Sequence, residues 1–194
     1  MLIPIWLPLL VGTLWIGSSL TREQQVQQMA RDLASMYVRG VDFSPAGDSG
    51  SAKTLTLITQ QLGTVTASGT GVVIFSKITY VGNLLCTTCT NYHKWTFEQQ
   101  FAVGNTSLWN SNFGTATGTF AVNSDGYNTG NLTDYLTNSS DHSTFNLISP
   151  VPTESTPDTD GYQASTPVYV VEVFFQARGL AGITKGGDYA YAVF

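Results

Sequence analysis

Charge is what this chain has least of. Asp, Glu, Lys and Arg make up 11% of its 194 residues, under half of the usual ~25%. Thr, Ser, Asn and Gly take their place on the surface, a composition that suits an extracellular protein better than a cytosolic enzyme. The eight Lys and Arg are scattered and the net charge is −5. Without a basic patch, nucleic acid is excluded as a partner. Only two histidines are present, few for acid–base chemistry. G-x-S-x-G, H-E-x-x-H, the phosphate loop and G-x-G-x-x-G are all missing. No catalytic residues, no cofactor and no metal are therefore expected. Asp125, Asp134, Asp141, Asp158 and Asp160 lie in loop text without the D-x-D-x-D-G spacing of a calcium loop.

Cysteine is nearly absent as well. Cys86 and Cys89 form one C-T-T-C between YVGNLL and TNYHKW. A redox C-x-x-C needs a strand-to-helix setting, and this one lies between two strand-like runs. A zinc site needs four ligands. Cys86, Cys89 and His93 offer three, with His142 far along the chain. In an oxidising compartment the default is a local disulfide between Cys86 and Cys89.

What the chain does have is an uncharged start, MLIPIWLPLLVGTLWIGSSLT, followed at Arg22 by the polar REQQVQQMARDLASMYVRG. An apolar run near twenty residues is about the length that crosses a bilayer as a helix. It reads poorly as a signal peptide, because no basic n-region and no A-x-A site accompany it. Pro4 fits a first helical turn, whereas Pro8 predicts a kink or loosening. Beyond Arg22, Val26, Met29, Ala30, Leu33, Met36 and Tyr37 recur every three or four residues as one apolar stripe. Gly40 predicts the stop. A helical unit over 1–40 and a globular β-rich head over 41–194 follow.

In the head, SPAGDSGS (44–51) reads as a linker and KTLTLITQQL (53–62) as a short helix. Four segments read as strands: GVVIFSKITYV from Gly71, Lys94 to Val103, PVYVVEVFFQA from Pro167, and DYAYAVF from Asp188. The first two predict a hairpin closed by the cysteine loop. The last two predict another, turning near Gly179 to Gly187. Glu172, inside an apolar strand, reads as a side chain on the solvent face or at a subunit interface. The expected class is α+β: a long N-terminal helix, apolar then amphipathic, against a mainly antiparallel sheet of about four strands. Residues 104–166 have no clear periodicity, which in a compact domain often marks function. SPVPTESTP (149–157) reads as an extended surface segment. Asn105, Asn131 and Asn138 occupy N-x-Ser/Thr sequons, candidate glycosylation sites that carry little weight in a bacterium.

MLIPIWLPLLVGTLWIG followed by REQQVQQMARD resembles the N-terminus of the TadE-like pilins and pseudopilins of the tight-adherence system, in their acidobacterial form. The ending, VYVVEVFFQ then DYAYAVF, is also similar to that group. The likeness covers both ends, about half of the chain, and rests on hydrophobic patterns. It implies an N-terminal helix with a small β head. It also implies a structural subunit of an extracellular, type IV pilus-like filament. Its partners would be copies of itself, the inner membrane before assembly, and the pilus assembly machinery. The residues that would polymerise are Leu2, Ile3, Ile5, Trp6, Leu7, Leu9, Leu10, Val11, Leu14, Trp15, Ile16 and Leu20. In that family a peptidase removes a leader, and a Glu-Phe pair ahead of the apolar run helps to register subunits. No such Glu precedes the run here. Either residues upstream of Met1 belong to the protein, or this subunit departs from the rule. Two alternatives stand beside the filament: a minor membrane-held pseudopilin that primes assembly, and a membrane-anchored binding protein using the loops of 104–166 for a carbohydrate or surface ligand.

Overall fold

The computed structural model describes residues 3–44, 49–60, 62–145, 164–177 and 186–194. The uncharged and amphipathic stretches form one helix, α1 (Ile3–Val38), continuous through Pro4 and Pro8. It ends where the sequence predicts. Gly40 has φ +85°, its N–H donates to Tyr37 O at 3.0 Å, and Val41 N–H donates to Met36 O at 3.1 Å. This paired closure of the last carbonyls needs a residue at ease in the left-handed region. The second helix, α2 (Ser49–Thr59), starts inside the predicted linker. Of that linker, 45–48 lie outside the described residues.

The strands are β1 (Gly71–Tyr80), β2 (Trp95–Gly104), β3 (Phe120–Val122), β4 (Asn128–Leu132), β5 (Pro167–Gln176) and β6 (Gly187–Val193). They form one sheet in the order β3-β4-β2-β1-β5-β6, antiparallel throughout. The class is α+β, and both predicted hairpins are present. The count of about four strands is corrected to six. The two extra strands have three and five residues and lie in the stretch without periodicity. Their turn carries an Asp-Gly pair, a hairpin signal. Gly126 has φ +82°, and Asn123 Oδ1 accepts from the N–H groups of Asp125 and Tyr127 at 3.0 and 2.9 Å. The predicted turn near Gly179 falls mostly outside the described residues, as do the segment 149–157, Asp158 and Asp160.

The two faces of the sheet are covered differently. On one, Val73, Phe75, Val171, Val173, Phe175, Ala190 and Ala192 pack against Val26, Met29, Ala30, Leu33, Ala34 and Tyr37 of α1. Phe75 stacks on Phe43 and Phe101, and Tyr37 meets it edge-on at 5.3 Å. On the other face, Ile78, Phe97, Val168 and Val170 pack with Leu132 at the end of β4 and with Ala116 and Phe145 from the irregular chain after β2.

That irregular layer is held by buried polar side chains. Glu172 is 1% exposed, so the solvent-face or interface reading is corrected. Its carboxylate accepts from Asn112 N–H and Tyr189 O–H, both at 2.8 Å, and from Ser111 O–H. Gln100 accepts from Ala116 N–H at 2.7 Å and donates to Gly114 O at 2.9 Å. Asn91 donates to Tyr135 O and Asn138 O. Asp141 accepts from Thr117 N–H and Gly118 N–H. Burial pushes the Glu172 carboxyl upward in pKa, against its three donors.

Candidate assembly surface

The helix α1 is two objects in one. From Val26 onward its stripe is inside the core: Val26, Ala30 and Leu33 are each 0% exposed. Before Arg22 seven large side chains face outward. Trp6 is 69% exposed, Leu14 66% and Leu20 56%, and Leu9, Leu10, Val11 and Ile16 are each at least half exposed. At 100° per residue, these seven positions spread over about 220° of the helix circumference. So broad an exposed apolar face belongs against a larger assembly or a membrane. Fully burying one such side chain stabilises by about 1.5–3 kcal/mol, so seven hold on the order of 10 kcal/mol in reserve. That is enough to offset much of the ~4–15 kcal/mol that association costs.

Polar atoms on this half are partly hidden. Thr13 and Thr21 donate their hydroxyls back to Leu10 O and Gly17 O, each at 2.9 Å. A side chain added at Gly12 or Gly17 would meet nothing within 4 Å. Beside the second of these, a groove of about 640 Å³ runs between Thr13, Leu14, Gly17, Ser18 and Thr21 on the helix and Leu62 on the head. The boundary between the halves is fixed by charge. Arg22 Nε lies 2.8 Å from Asp188 Oδ2, and Arg22 Nη2 donates to Gln176 O at 2.8 Å. Both partners belong to the β5–β6 hairpin, so the helix is hooked to the sheet at the residue where its polar half begins.

Of the predicted polymerisation residues, Trp6, Leu9, Leu10, Val11, Leu14, Ile16 and Leu20 share this exposed half. Ile3, Ile5, Leu7 and Trp15 lie on the same helix, and Leu2 falls outside the described residues. Among the described residues no helix is long and apolar enough to cross a membrane.

The other predicted positions do not gather here. Cys86 and Cys89 sit in the β1–β2 loop as free thiols. Cys89 N–H donates to Cys86 Sγ at 2.9 Å. A side-chain hydrogen bond with the Cys89 thiol lowers the pKa of the Cys86 thiol, while burial, then that thiol–thiol bond, raises Cys89. Two of the sequons have structural work. Asn105 donates its amide to Gly69 O, and Asn138 caps the single 3-10 turn (Ser139–Asp141) while its amide donates to Asp134. Asn131 is exposed, its amide turned to Thr129. His142 Nε2 lies 2.7 Å from Asn91 Oδ1. Among the described residues no three His, Cys, Asp or Glu side chains converge as metal ligands.

No known protein family, curated protein or solved structure matches the chain. The sequence marks Glu172 as out of place in an apolar strand, but it does not mark Gln100 or Asn91 as anchors of the irregular layer. Their signal was an ionisable or amide residue at an inward strand position, as at Glu172 and Gln100.

Proposed function

We propose that this chain is the structural subunit of an extracellular, pilus-like filament that polymerises through the N-terminal half of α1. One observation carries the reading: a helix continuous with the core of its head presents large apolar side chains over more than half of its circumference and buries none of the seven named above. Before assembly this half rests in the inner membrane, where an uncharged surface is at ease. In the filament it packs against the same half of other copies. The contact is heterologous, one patch against a different one, and so repeats without closing. The head, with its uncharged Thr, Ser and Asn surface, faces outward.

The test is Leu10→Arg, examined by negative-stain microscopy and mass spectrometry of material sheared from cells. A charge at that position should cost several kcal/mol in lipid or among packed helices. Loss of filaments built from this chain is the expected result, and normal filaments from the variant refute the reading. Filaments that contain the wild-type chain only in traces would make it a minor, assembly-priming subunit.

A further inference from the structure

We propose that a pocket on the face of the sheet opposite α1 binds one neutral sugar unit, with Trp109 as its wall and Thr106, Asn110 and Thr115 as its rim. The pocket encloses about 250 Å³, below the ~300–1,000 Å³ of drug-sized sites and suited to a single ring with its substituents. Its floor is apolar. Ile74 of β1 and Ala102 of β2 are cross-strand partners there. The wall is held firmly: the Trp109 ring stacks on Phe174 at 4.9 Å and meets Tyr189 at a tilt, with centroids 5.0 Å apart.

The chemistry of the lining selects the ligand. Among the described residues no charged side chain lines the pocket, so an ionic ligand would meet no counter-charge from them. The apolar floor and indole suit the C–H face of a pyranose. The rim carries unused hydrogen-bonding capacity. Thr106, Asn110 and Thr115 are exposed, and among the described residues no hydrogen bond engages their side chains. The other polar liners are already committed: Gln100 and Ser111 hold the irregular layer in place. Apolar walls with a few neutral donors and acceptors at the edge are the complement of a sugar ring. This site lies apart from the exposed half of α1 and stands whether or not the filament reading does.

The experiment uses the full ¹⁵N-labelled chain in a detergent without a sugar headgroup. Glucose, galactose and N-acetylglucosamine are titrated in turn while the tryptophan indole N–H signals are followed. Trp109→Phe identifies the Trp109 signal by its absence. A saturable shift of that signal with at least one sugar is expected, with Trp6, Trp15 and Trp95 unmoved. Asn110→Ala should weaken the affinity about tenfold, the equivalent of one hydrogen bond, at an unchanged melting temperature. Glucuronate should bind more weakly than the neutral sugars. No saturable shift with any of the three neutral sugars, wild-type affinity in Asn110→Ala, or equal binding of glucuronate would each overturn the proposal.

Discussion

Arg22 and Asp188 meet at 2.8 Å where α1 leaves the head. The pair joins the first charged residue of the chain to the first turnward carboxylate of the last strand. It sets where the packed half of the helix ends and the exposed half begins. Both side chains are about one-fifth exposed, so solvent screens the pair only in part.

Removing one partner should therefore have a modest and measurable cost. Arg22→Ala loses both the ion pair and the bond to the Gln176 carbonyl, and about 1–2 kcal/mol of head stability is expected. Asp188→Ala loses only the pair and should cost less. Denaturant unfolding of the two single variants and the double variant would show a coupling energy. A coupling of zero would mean that the two side chains do not act together.

The last strand should be indispensable. Ala190 and Ala192 lie under α1, and β6 pairs with β5 from Gly187 through Val193. Deleting 188–194 exposes the edge of β5 and opens the core beneath the helix. The truncated chain is expected to lose its cooperative thermal transition. An unchanged melt would show that the helix and β5 hold the head by themselves.

Glu172 predicts a pH dependence of known sign. Burial holds its carboxyl above the ordinary value of 4.5. Between that value and the raised one, the native state carries more proton than the unfolded chain. Its contribution to stability is full below the ordinary value and is lost as pH rises through the raised value. The difference in unfolding free energy between wild type and Glu172→Gln should move against the wild type over that window. Parallel stability curves for the two proteins would place the carboxyl at its ordinary value.

Cys86 and Cys89 should be oxidised to each other in protein taken from outside the cell. Cys86, whose thiol is favoured toward thiolate by Cys89, is the sulfur expected to react first. The closed loop is short, so the gain in stability is at the low end of the disulfide range. Intact mass after alkylation, with and without prior reduction, reads the state. Two thiols alkylated without reductant would count against the bond.

The elements that could be read from the sequence are those with a period. The stripe from Val26 to Tyr37 marks the packed half of α1, and alternation in β2 and β6 marks their faces. The break at Arg22 marks the division of the helix. The irregular layer was illegible for a physical reason. It is attached through its peptide groups, which look alike in every residue, to Glu172, Gln100, Asn91 and Asp141. No pattern in 104–145 announces such bonds. Glu172 was noticed as out of place in an apolar strand, but only the fold shows that Asn112 and Ser111 meet it from sixty residues away.

That mode of attachment bears on how this protein can vary. Glu172, Gln100 and Asn91 grip N–H and C=O groups in the layer above them, and Asp141 ties two parts of that layer together. Exposed positions such as Thr106 and Ser124 can be rewritten while the grip stays the same. The outer surface can then change its appearance without renegotiating the sheet, so long as the four polar residues and the apolar cover of Ala116, Leu132 and Phe145 are kept.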